Sequence, residues 1–230
     1  MDQQAIAEPI SITVSDTARV SGLMLNPSHA RGCYVLAHGA GAGMNHPFMA
    51  AVAAELARRD IATLRYQFPY MERGAKRPDP PQLAQATVRA AVATALVLFP
   101  NHPLVAGGKS FGGRMTSQAQ AKTPLNGVRG LALLGFPLHP QGRPSQDRGA
   151  HLFDVQIPML FLQGSRDNLA TLDQIKPLCK KLGRRATLNL FADADHSFHV
   201  PARSGRKDAQ VLREMIDAFV AWFEGAIAPL

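Results

Sequence analysis

The sequence predicts an α/β fold in which a mostly parallel central sheet carries helices on both faces. Three observations predict it: short apolar runs that recur along the chain, longer helical stretches between them, and an antiparallel hairpin near the beginning. The apolar runs lack polar alternation, as expected of strands that are buried on both faces of a parallel sheet. They are Cys33–Ala37, Ile61–Leu64, Leu104–Ala106, Leu131–Leu134, Met159–Leu162 and Leu188–Leu190.

The hairpin and the helices complete this pattern. Ile10–Val14 and Val20–Leu25 flank a polar turn at Ser15–Asp16, which indicates two antiparallel strands at the start of the sheet. Gln82–Phe99 is rich in alanine and other apolar residues, which is typical of a buried helix. The last helical segment has apolar residues at the three-four spacing of one helix face, namely Val211, Leu212, Met215, Ile216, Phe219, Val220 and Phe223. Because strands and helices alternate without repeats or linkers, we expect a single domain over residues 1–230.

Composition favours a soluble domain with an ordinary core. Of the 230 residues, 46% are hydrophobic and 18% are charged, which excludes long disorder. Cys33 and Cys179 both lie in apolar or helical runs, so we interpret them as core thiols in a reducing compartment. No apolar run reaches transmembrane length, and Met1–Ile10 lacks the pattern of a signal peptide. We therefore expect a cytoplasmic protein with no membrane partner.

A glycine-rich turn follows the run Leu104–Ala106. Its sequence is Gly107-Gly108-Lys109-Ser110-Phe111-Gly112-Gly113, which contains the pattern Gly-x-Ser-x-Gly. A serine at a sharp turn from strand to helix projects its hydroxyl above the sheet, so Ser110 is the predicted nucleophile. The same residues could instead end a phosphate-binding loop, but that loop needs a glycine where Pro103 stands.

A second small-residue loop follows the run Cys33–Ala37. It is His38-Gly39-Ala40-Gly41-Ala42-Gly43, and residues this small let the backbone approach a substrate. We predict that the backbone N–H groups of Ala40 and Phe111 together form an oxyanion hole. The alternative is a glycine-rich turn into a helix. A dinucleotide-binding fingerprint is excluded because Met44 stands where glycine or alanine is required.

Asp167 and His196 complete a predicted catalytic triad. A serine hydroxyl is a poor nucleophile until a histidine accepts its proton, and the histidine needs a carboxylate to fix its tautomer. Ser110, Asp167 and His196 occur in this order, each after its own predicted strand, so they converge at one edge of the sheet. Taken alone, Asp167 could equally cap a helix.

Two other aspartates precede the histidine closely. Asp193 and Asp195 are rival partners for His196, and with His199 they could also be interpreted as a metal cluster. Their spacing matches no strong ligand pattern, so we predict no metal site. We favour Asp167 as the partner because a residue directly before the histidine on an extended loop points its side chain elsewhere.

Four motifs together carry a family resemblance. They are Leu36-Ala37-His38-Gly39-Ala40-Gly41, His46-Pro47-Phe48-Met49, Phe68-Pro69-Tyr70-Met71-Glu72, and Gly107-Gly108-Lys109-Ser110 with Gly112-Gly113-Arg114. The chain resembles the α/β-hydrolases, in the small branch with little lid that includes dienelactone hydrolases. Within that branch it is similar to a narrower family that includes proteins related to testis-expressed protein thirty and to a subunit of the NSL chromatin complex.

This resemblance spans about residues 21–223, and it implies an α/β-hydrolase fold without a large cap domain and with a serine-hydrolase site. Dienelactone hydrolases carry cysteine at the nucleophile position, whereas this chain has Ser110, which favours a general esterase. The relatives in a chromatin complex raise the alternative of a catalytically silent interaction module. An acyltransferase or a perhydrolase that uses the same site is a third interpretation.

We therefore expect a small-molecule acyl substrate and a mechanism that needs no cofactor. Two proline-rich loops, Tyr66–Pro81 and Phe136–Pro158, follow strand ends on the side where open α/β sheets bind ligands. We expect them to wall the pocket, with Tyr70 and His139 as candidate substrate-binding residues.

The net charge of +8 invites a nucleic-acid interpretation, but the basic residues are scattered and no recognition motif lies among them. We predict no specific nucleic-acid site. Any DNA or RNA binding should be weak and should fall steeply between about 50 and 200 mM salt, because it would depend on counterion release. A titration of labelled duplex and single-stranded oligonucleotides at both salt concentrations checks this. Sequence-selective binding that survives physiological salt would contradict it.

Overall fold

A computed structural model describes residues 6–227, and its centre is one eight-stranded sheet. The strands are β1 (Glu8–Ser15), β2 (Ala18–Leu25), β3 (Gly32–Ala37), β4 (Ile61–Tyr66), β5 (Leu104–Lys109), β6 (Val128–Leu134), β7 (Met159–Gly164) and β8 (Ala186–Phe191). Their spatial order is β1-β2-β4-β3-β5-β6-β7-β8. The pairs β1–β2 and β2–β4 are antiparallel, and the remaining five pairs are parallel.

Helices cover both faces of this sheet. They are α1 (Pro47–Ala57), α2 (Pro69–Glu72), α3 (Pro81–Leu98), α4 (Phe111–Lys122), α5 (Leu172–Leu182) and α6 (Asp208–Trp222). Short 3₁₀ segments occupy Asp147–Asp154, Gly183–Arg185 and Ala202–Ser204, and a π-helical turn follows α6 at Phe223–Ile227. Helices α1, α2 and α3 each begin at a proline, whose fixed φ suits the first helical position and whose missing N–H has no partner to lose there.

The apolar side chains form two cores, one on each face of the sheet. Helices α3, α4 and α5 pack on one face through residues such as Val88, Met115 and Leu178. Helices α1 and α6 pack on the other face through residues such as Met49 and Phe219. Both layers are continuous because alternate residues of each parallel strand point to opposite faces.

The predicted fold class is confirmed, including the antiparallel hairpin and all six predicted parallel strands. Burial on both faces holds for five of the six, since β8 is an edge strand and only partly buried. The strands run further than their apolar runs indicated: β5 continues through Gly107 and Gly108 to Lys109, which carries the chain directly into the turn at Ser110. Within residues 6–227, the longest connection between consecutive strands or α-helices is residues 135–158, which join β6 to β7. It contains only the 3₁₀ segment Asp147–Asp154. No cap domain covers the strand ends in this part of the chain.

Two further expectations concern the thiols and the membrane. Cys33 and Cys179 are free and buried, and burial raises the pKa of each thiol to about 12, so both are protonated and unreactive. Among the described residues, no helix combines the length and the apolarity that a bilayer crossing requires.

Candidate active site

Ser110 lies at the sharp turn between β5 and α4. Its backbone has φ 50° and ψ −113°, a conformation that a residue with a Cβ atom rarely adopts. Its N–H donates to the carbonyl oxygen of Leu134 at 3.0 Å, which ties the turn to the end of β6. A Cβ at Gly112 would lie 2.5 Å from the carbonyl oxygen of His38, so only glycine lets the elbow approach the loop after β3.

The structure brings Ser110, His196 and Asp167 together. His196 Nε2 lies 2.9 Å from Ser110 Oγ, and His196 Nδ1 lies 2.7 Å from Asp167 Oδ2. The Asp167 carboxylate accepts a hydrogen bond from Nδ1–H. Nε2 is then unprotonated and accepts a hydrogen bond from the Ser110 hydroxyl. The Asp167 side chain is fully buried, whereas that of His196 is partly open to solvent. This arrangement is able to remove a proton from Ser110 and to stabilise the imidazolium that results.

Asp167 is itself fixed by groups beneath it. Gln163 Nε2 donates to Asp167 Oδ2 at 2.5 Å, and the Leu169 N–H donates to Asp167 Oδ1 at 2.7 Å. Gln163 Oε1 in turn accepts the Phe136 N–H at 2.9 Å. Gln163 is a functional neighbour that the sequence analysis missed, and its only signal is a polar side chain near the end of the apolar strand β7.

The two rival aspartates have other partners. Asp195 Oδ1 accepts the N–H groups of Ser197 and His199 at 2.8 and 3.0 Å, so it closes the turn that presents His196. Asp193 has φ 60°, and its N–H donates to Ser165 Oγ at 2.9 Å, while its side chain is exposed. In residues 6–227, no group of three or more His, Cys, Asp or Glu side chains is arranged to hold a metal ion.

Ala40 and Phe111 lie on the two loops expected to form an oxyanion hole. Phe111 is the first residue of α4, and Ala40 lies in the glycine-rich loop that borders Ser110. Within the described chain, neither N–H donates to a backbone or side-chain acceptor, so both remain available to a developing negative charge. The helix dipole of α4 adds a favourable field at Phe111.

Two buried side chains hold the glycine-rich loop from below. Tyr70 Oη donates to the carbonyl oxygen of Ala40 at 2.8 Å. His38 Nδ1–H donates to the carbonyl oxygen of Gly39 at 2.7 Å, and its Nε2 accepts the Phe68 N–H at 3.1 Å. Burial lowers the pKa of His38 to about 4, so the ring stays neutral in the tautomer that these bonds require.

These contacts correct the expectation that Tyr70 and His139 bind substrate. Tyr70 is fully buried, and its ring packs against those of His38 and Phe111 rather than facing a cavity. His139 is also buried, with Nδ1–H donating to the carbonyl oxygen of Pro140 at 2.9 Å. The polar side chains of a loop after a strand can fold inward to satisfy buried carbonyls. His139 does this within its own loop, and Tyr70 does it for Ala40 on the loop after β3.

A cavity of about 310 Å³ opens beside Ser110 and His196. The loop Gly39–Ala42 forms one part of its wall, and His46, Phe48 and Met49 at the start of α1 form another. Phe48 stacks on Phe198 with ring centroids 5.7 Å apart, which fixes the aromatic side of the wall. The site therefore combines a serine hydroxyl within hydrogen-bond distance of a histidine, two N–H groups without a described acceptor and a small, mostly apolar cavity.

Comparisons with known proteins identify the family and support the fold. A family model described as Alpha/beta hydrolase domain matches residues 30–224. The fold is similar to that of a dienelactone hydrolase from Anabaena variabilis, at a TM-score of 0.78 and 20% identity over 98% of this chain and 100% of the other. It is also similar to a serine hydrolase without a lid from Xanthomonas campestris, at a TM-score of 0.73 and 19% identity over 94% of each chain.

A third solved structure is the esterase domain of a Rhodothermus marinus protein. Its TM-score is 0.71 at 13% identity, over 97% of this chain and 100% of that domain. At such identities, the three likenesses establish the fold and carry no substrate or activity across. The family match covers most of the chain, and it includes Ser110, Asp167 and His196.

The contacts of the three aspartates predict different effects of replacement by asparagine. Asp167→Asn should slow the reaction of Ser110 with a fluorophosphonate by roughly 10⁴-fold, because His196 would lose its tautomer control and its counter-charge. Asp193→Asn should have little effect, and Asp195→Asn should act only through the turn it closes. The measurement is the labelling rate of the three variants at one pH, with folding checked by circular dichroism. A fully reactive Asp167→Asn protein would show that another carboxylate serves His196.

Proposed function

We propose that this chain, which belongs to the Alpha/beta hydrolase domain family, is a serine hydrolase that cleaves an ester-like acyl bond through an acyl-enzyme. The observation that carries the proposal is the unbroken set of hydrogen bonds from Asp167 through His196 to Ser110, at 2.7 and 2.9 Å, beside an open cavity. The same pattern of nucleophile, base and orienting acid activates serine on unrelated folds.

The residues define the steps of the reaction. Ser110 Oγ attacks the acyl carbonyl carbon while His196 Nε2 takes the hydroxyl proton, and the carbonyl oxygen becomes an oxyanion. The N–H groups of Ala40 and Phe111 stabilise that charge. His196 then gives its proton to the leaving group, and the ester of Ser110 remains. Water, activated by His196 in the same way, attacks this ester and releases the acid.

The cavity and the chain around it favour a small acyl substrate. Its volume of about 310 Å³ lies at the lower end of the range for small-molecule sites, and its wall is formed largely by small and apolar residues. No cap domain in the described part of the chain limits access from solvent. This mechanism calls on no metal or cofactor. Free, buried Cys33 and Cys179 support a cytoplasmic location for the reaction.

Two alternatives remain, an interaction module and an acyltransferase or perhydrolase. They differ from the proposal, and from each other, in what they require of the same residues. A catalytically silent interaction module has no need of an activated serine. An acyltransferase forms the same acyl-enzyme but passes the acyl group to an acceptor other than water. Trapping the serine therefore separates the first alternative from the proposal, and product analysis separates the second.

A fluorophosphonate probe should label Ser110 in the wild-type protein, as mapped by mass spectrometry of the modified peptide. Ser110→Ala should abolish labelling and lower turnover of a short p-nitrophenyl ester by roughly 10⁴-fold or more, with the fold intact by circular dichroism. Undiminished ester turnover in a folded Ser110→Ala protein would refute the catalytic assignment. A wild-type protein that resists the probe would favour the interaction module.

Tyr70→Phe should lower kcat by roughly five- to tenfold, because one buried hydrogen bond that holds the Ala40 carbonyl contributes about 1 kcal/mol. KM for the short ester should change little, since Tyr70 lies beneath the loop and not in the cavity wall. Tyr34→Phe is the matched control: Tyr34 Oη donates to the carbonyl oxygen of Ala132 at 2.8 Å in the core, away from the cavity. Equal kcat losses in both variants would contradict a specific role for Tyr70.

A further inference from the structure

Lys109 is the last residue of β5, directly before Ser110, and the mechanism described above does not use it. Its side chain is partly buried and forms part of the cavity wall. Its Nζ donates to the carbonyl oxygen of His196 at 2.6 Å. Lys109, at the end of β5, is therefore hydrogen-bonded to the main chain of His196, which lies on the loop after β8.

Phe198 and Gly135 lie next to the ammonium group of Lys109 and accommodate it. Nζ lies 5.5 Å from the centroid of the Phe198 ring, a distance at which a cation is attracted by the ring face. Gly135 leaves room for this arrangement, since a Cβ there would lie 2.8 Å from Lys109 Nζ and 3.2 Å from the His196 carbonyl oxygen. One more carbon atom at position 135 would push the lysine and the histidine apart.

The charged and titratable groups that face Lys109 come from the ends of neighbouring strands. Asp167 follows β7, and Asp195 and His196 follow β8, while His46 at the start of α1 lines the same cavity. Burial lowers the pKa of Lys109 to about 8, although Asp167 and Asp195 both favour its charged form. The ammonium group is therefore charged at neutral pH and becomes neutral as the pH rises through about 8.

We propose that Lys109 is a positioning residue whose ammonium group holds the His196 main chain at the distance from Ser110 that proton transfer requires, so that loss of its charge slows the reaction at alkaline pH. This inference rests on the proposed function. It assigns Lys109 no contact with the reacting atoms, since its hydrogen bond goes to a carbonyl oxygen and not to the imidazole ring.

The physical reason lies in how the His196 loop is fixed. Asp195 closes the turn on one side of His196, whereas the His196 carbonyl itself is held by Lys109. A hydrogen bond from a charged donor is shorter than one from a neutral donor and is roughly twice as strong. Proton transfer from Ser110 needs a heavy-atom distance near that of a hydrogen bond, so a loop that relaxes by a fraction of an ångström lowers the rate.

A positioning role also predicts how stability changes. The pKa of Lys109 is lower in the folded protein than in the unfolded chain. Below about pH 8, where Lys109 is charged in both the folded and the unfolded protein, this difference lowers the free energy of unfolding. Replacement of Lys109 by an uncharged residue of similar length removes that unfavourable contribution together with the hydrogen bond to the His196 carbonyl oxygen, and the two effects on stability oppose each other. The variant should lose rate without losing thermal stability, whereas a residue with a merely structural role would lose both.

The test compares wild-type protein with Lys109→Met and with the control Lys180→Met, which changes an exposed lysine on α5. The second-order rate of fluorophosphonate labelling is measured from pH 6.5 to 9.5, together with the melting temperature at pH 7. We expect the wild-type and control rates to fall through about pH 8. The Lys109→Met rate should be roughly 10- to 100-fold lower at pH 7 and level through pH 8, with an undiminished melting temperature.

Should Lys109→Met fail to fold, Lys109→Arg provides the same test, because its charge persists beyond the measured range and its rate should not fall through pH 8. A labelled wild-type protein whose alkaline fall persists in Lys109→Met or Lys109→Arg would overturn this inference alone. A Lys109→Met protein that loses rate and melting temperature together, without a change in pH profile, would also overturn it. A wild-type protein that the probe does not label would overturn the proposed function and this inference together.

Discussion

The candidate site depends on how closely the backbones at the carboxyl ends of four parallel strands approach one another. Hydrogen bonds of 2.7 and 2.9 Å between side chains on different loops require the loops themselves to be in contact. At Gly112 and Gly164 no side chain fits: a Cβ would lie 2.5 Å from the His38 carbonyl oxygen and 2.3 Å from the Ala194 carbonyl oxygen. The first contact sets Ser110 against the glycine-rich loop after β3, and the second sets Asp167 against the loop of His196. The hydrogen bonds of the triad follow from these two approaches.

Burial controls the charges that this convergence creates. His38 lies fully buried and is kept neutral, which suits its role as a donor to one loop and an acceptor from another. The Asp167 side chain is fully buried, and its carboxyl oxygens have three hydrogen-bond partners: the Gln163 amide, the Leu169 N–H and the His196 ring. A buried carboxylate with this many donors costs far less than an isolated one. The site thus has a single buried carboxylate at the triad, with a neutral ring placed behind the oxyanion loop.

The sequence predicted the fold class and the meeting of three residues because both depend on where the parallel strands end, and the apolar runs mark those ends. Ser110, Asp167 and His196 each come shortly after such a run, so their place at the sheet edge needs no knowledge of side-chain direction. Tyr70 and His139 fail for the opposite reason, since a loop's position does not determine whether its side chains point into a cavity or beneath it. The sequence analysis assigned no role to Gln163 or Lys109 because each lies at or near the end of a strand, where the role of a polar side chain depends on partners that the fold brings close, Phe136 for Gln163 and His196 for Lys109.

Backbone strain is concentrated at the same place. Among residues 6–227, four residues other than glycine have positive φ, and three of them, Ser110, Asp193 and Phe198, lie at the elbow or on the His196 loop. Such conformations each cost about 1–3 kcal/mol and persist only where the surrounding structure fixes them. Here the fixing structure is the pair of cores on either side of the sheet, together with the stacking of Phe198 on Phe48. Backbone strain, the buried carboxyl group of Asp167 and the partly buried ammonium group of Lys109 all lower stability at one edge of the sheet, and the apolar cores offset that loss elsewhere in the molecule. A protein under selection for stability alone would relax these features, so their joint presence around Ser110 supports the proposal that its hydroxyl reacts.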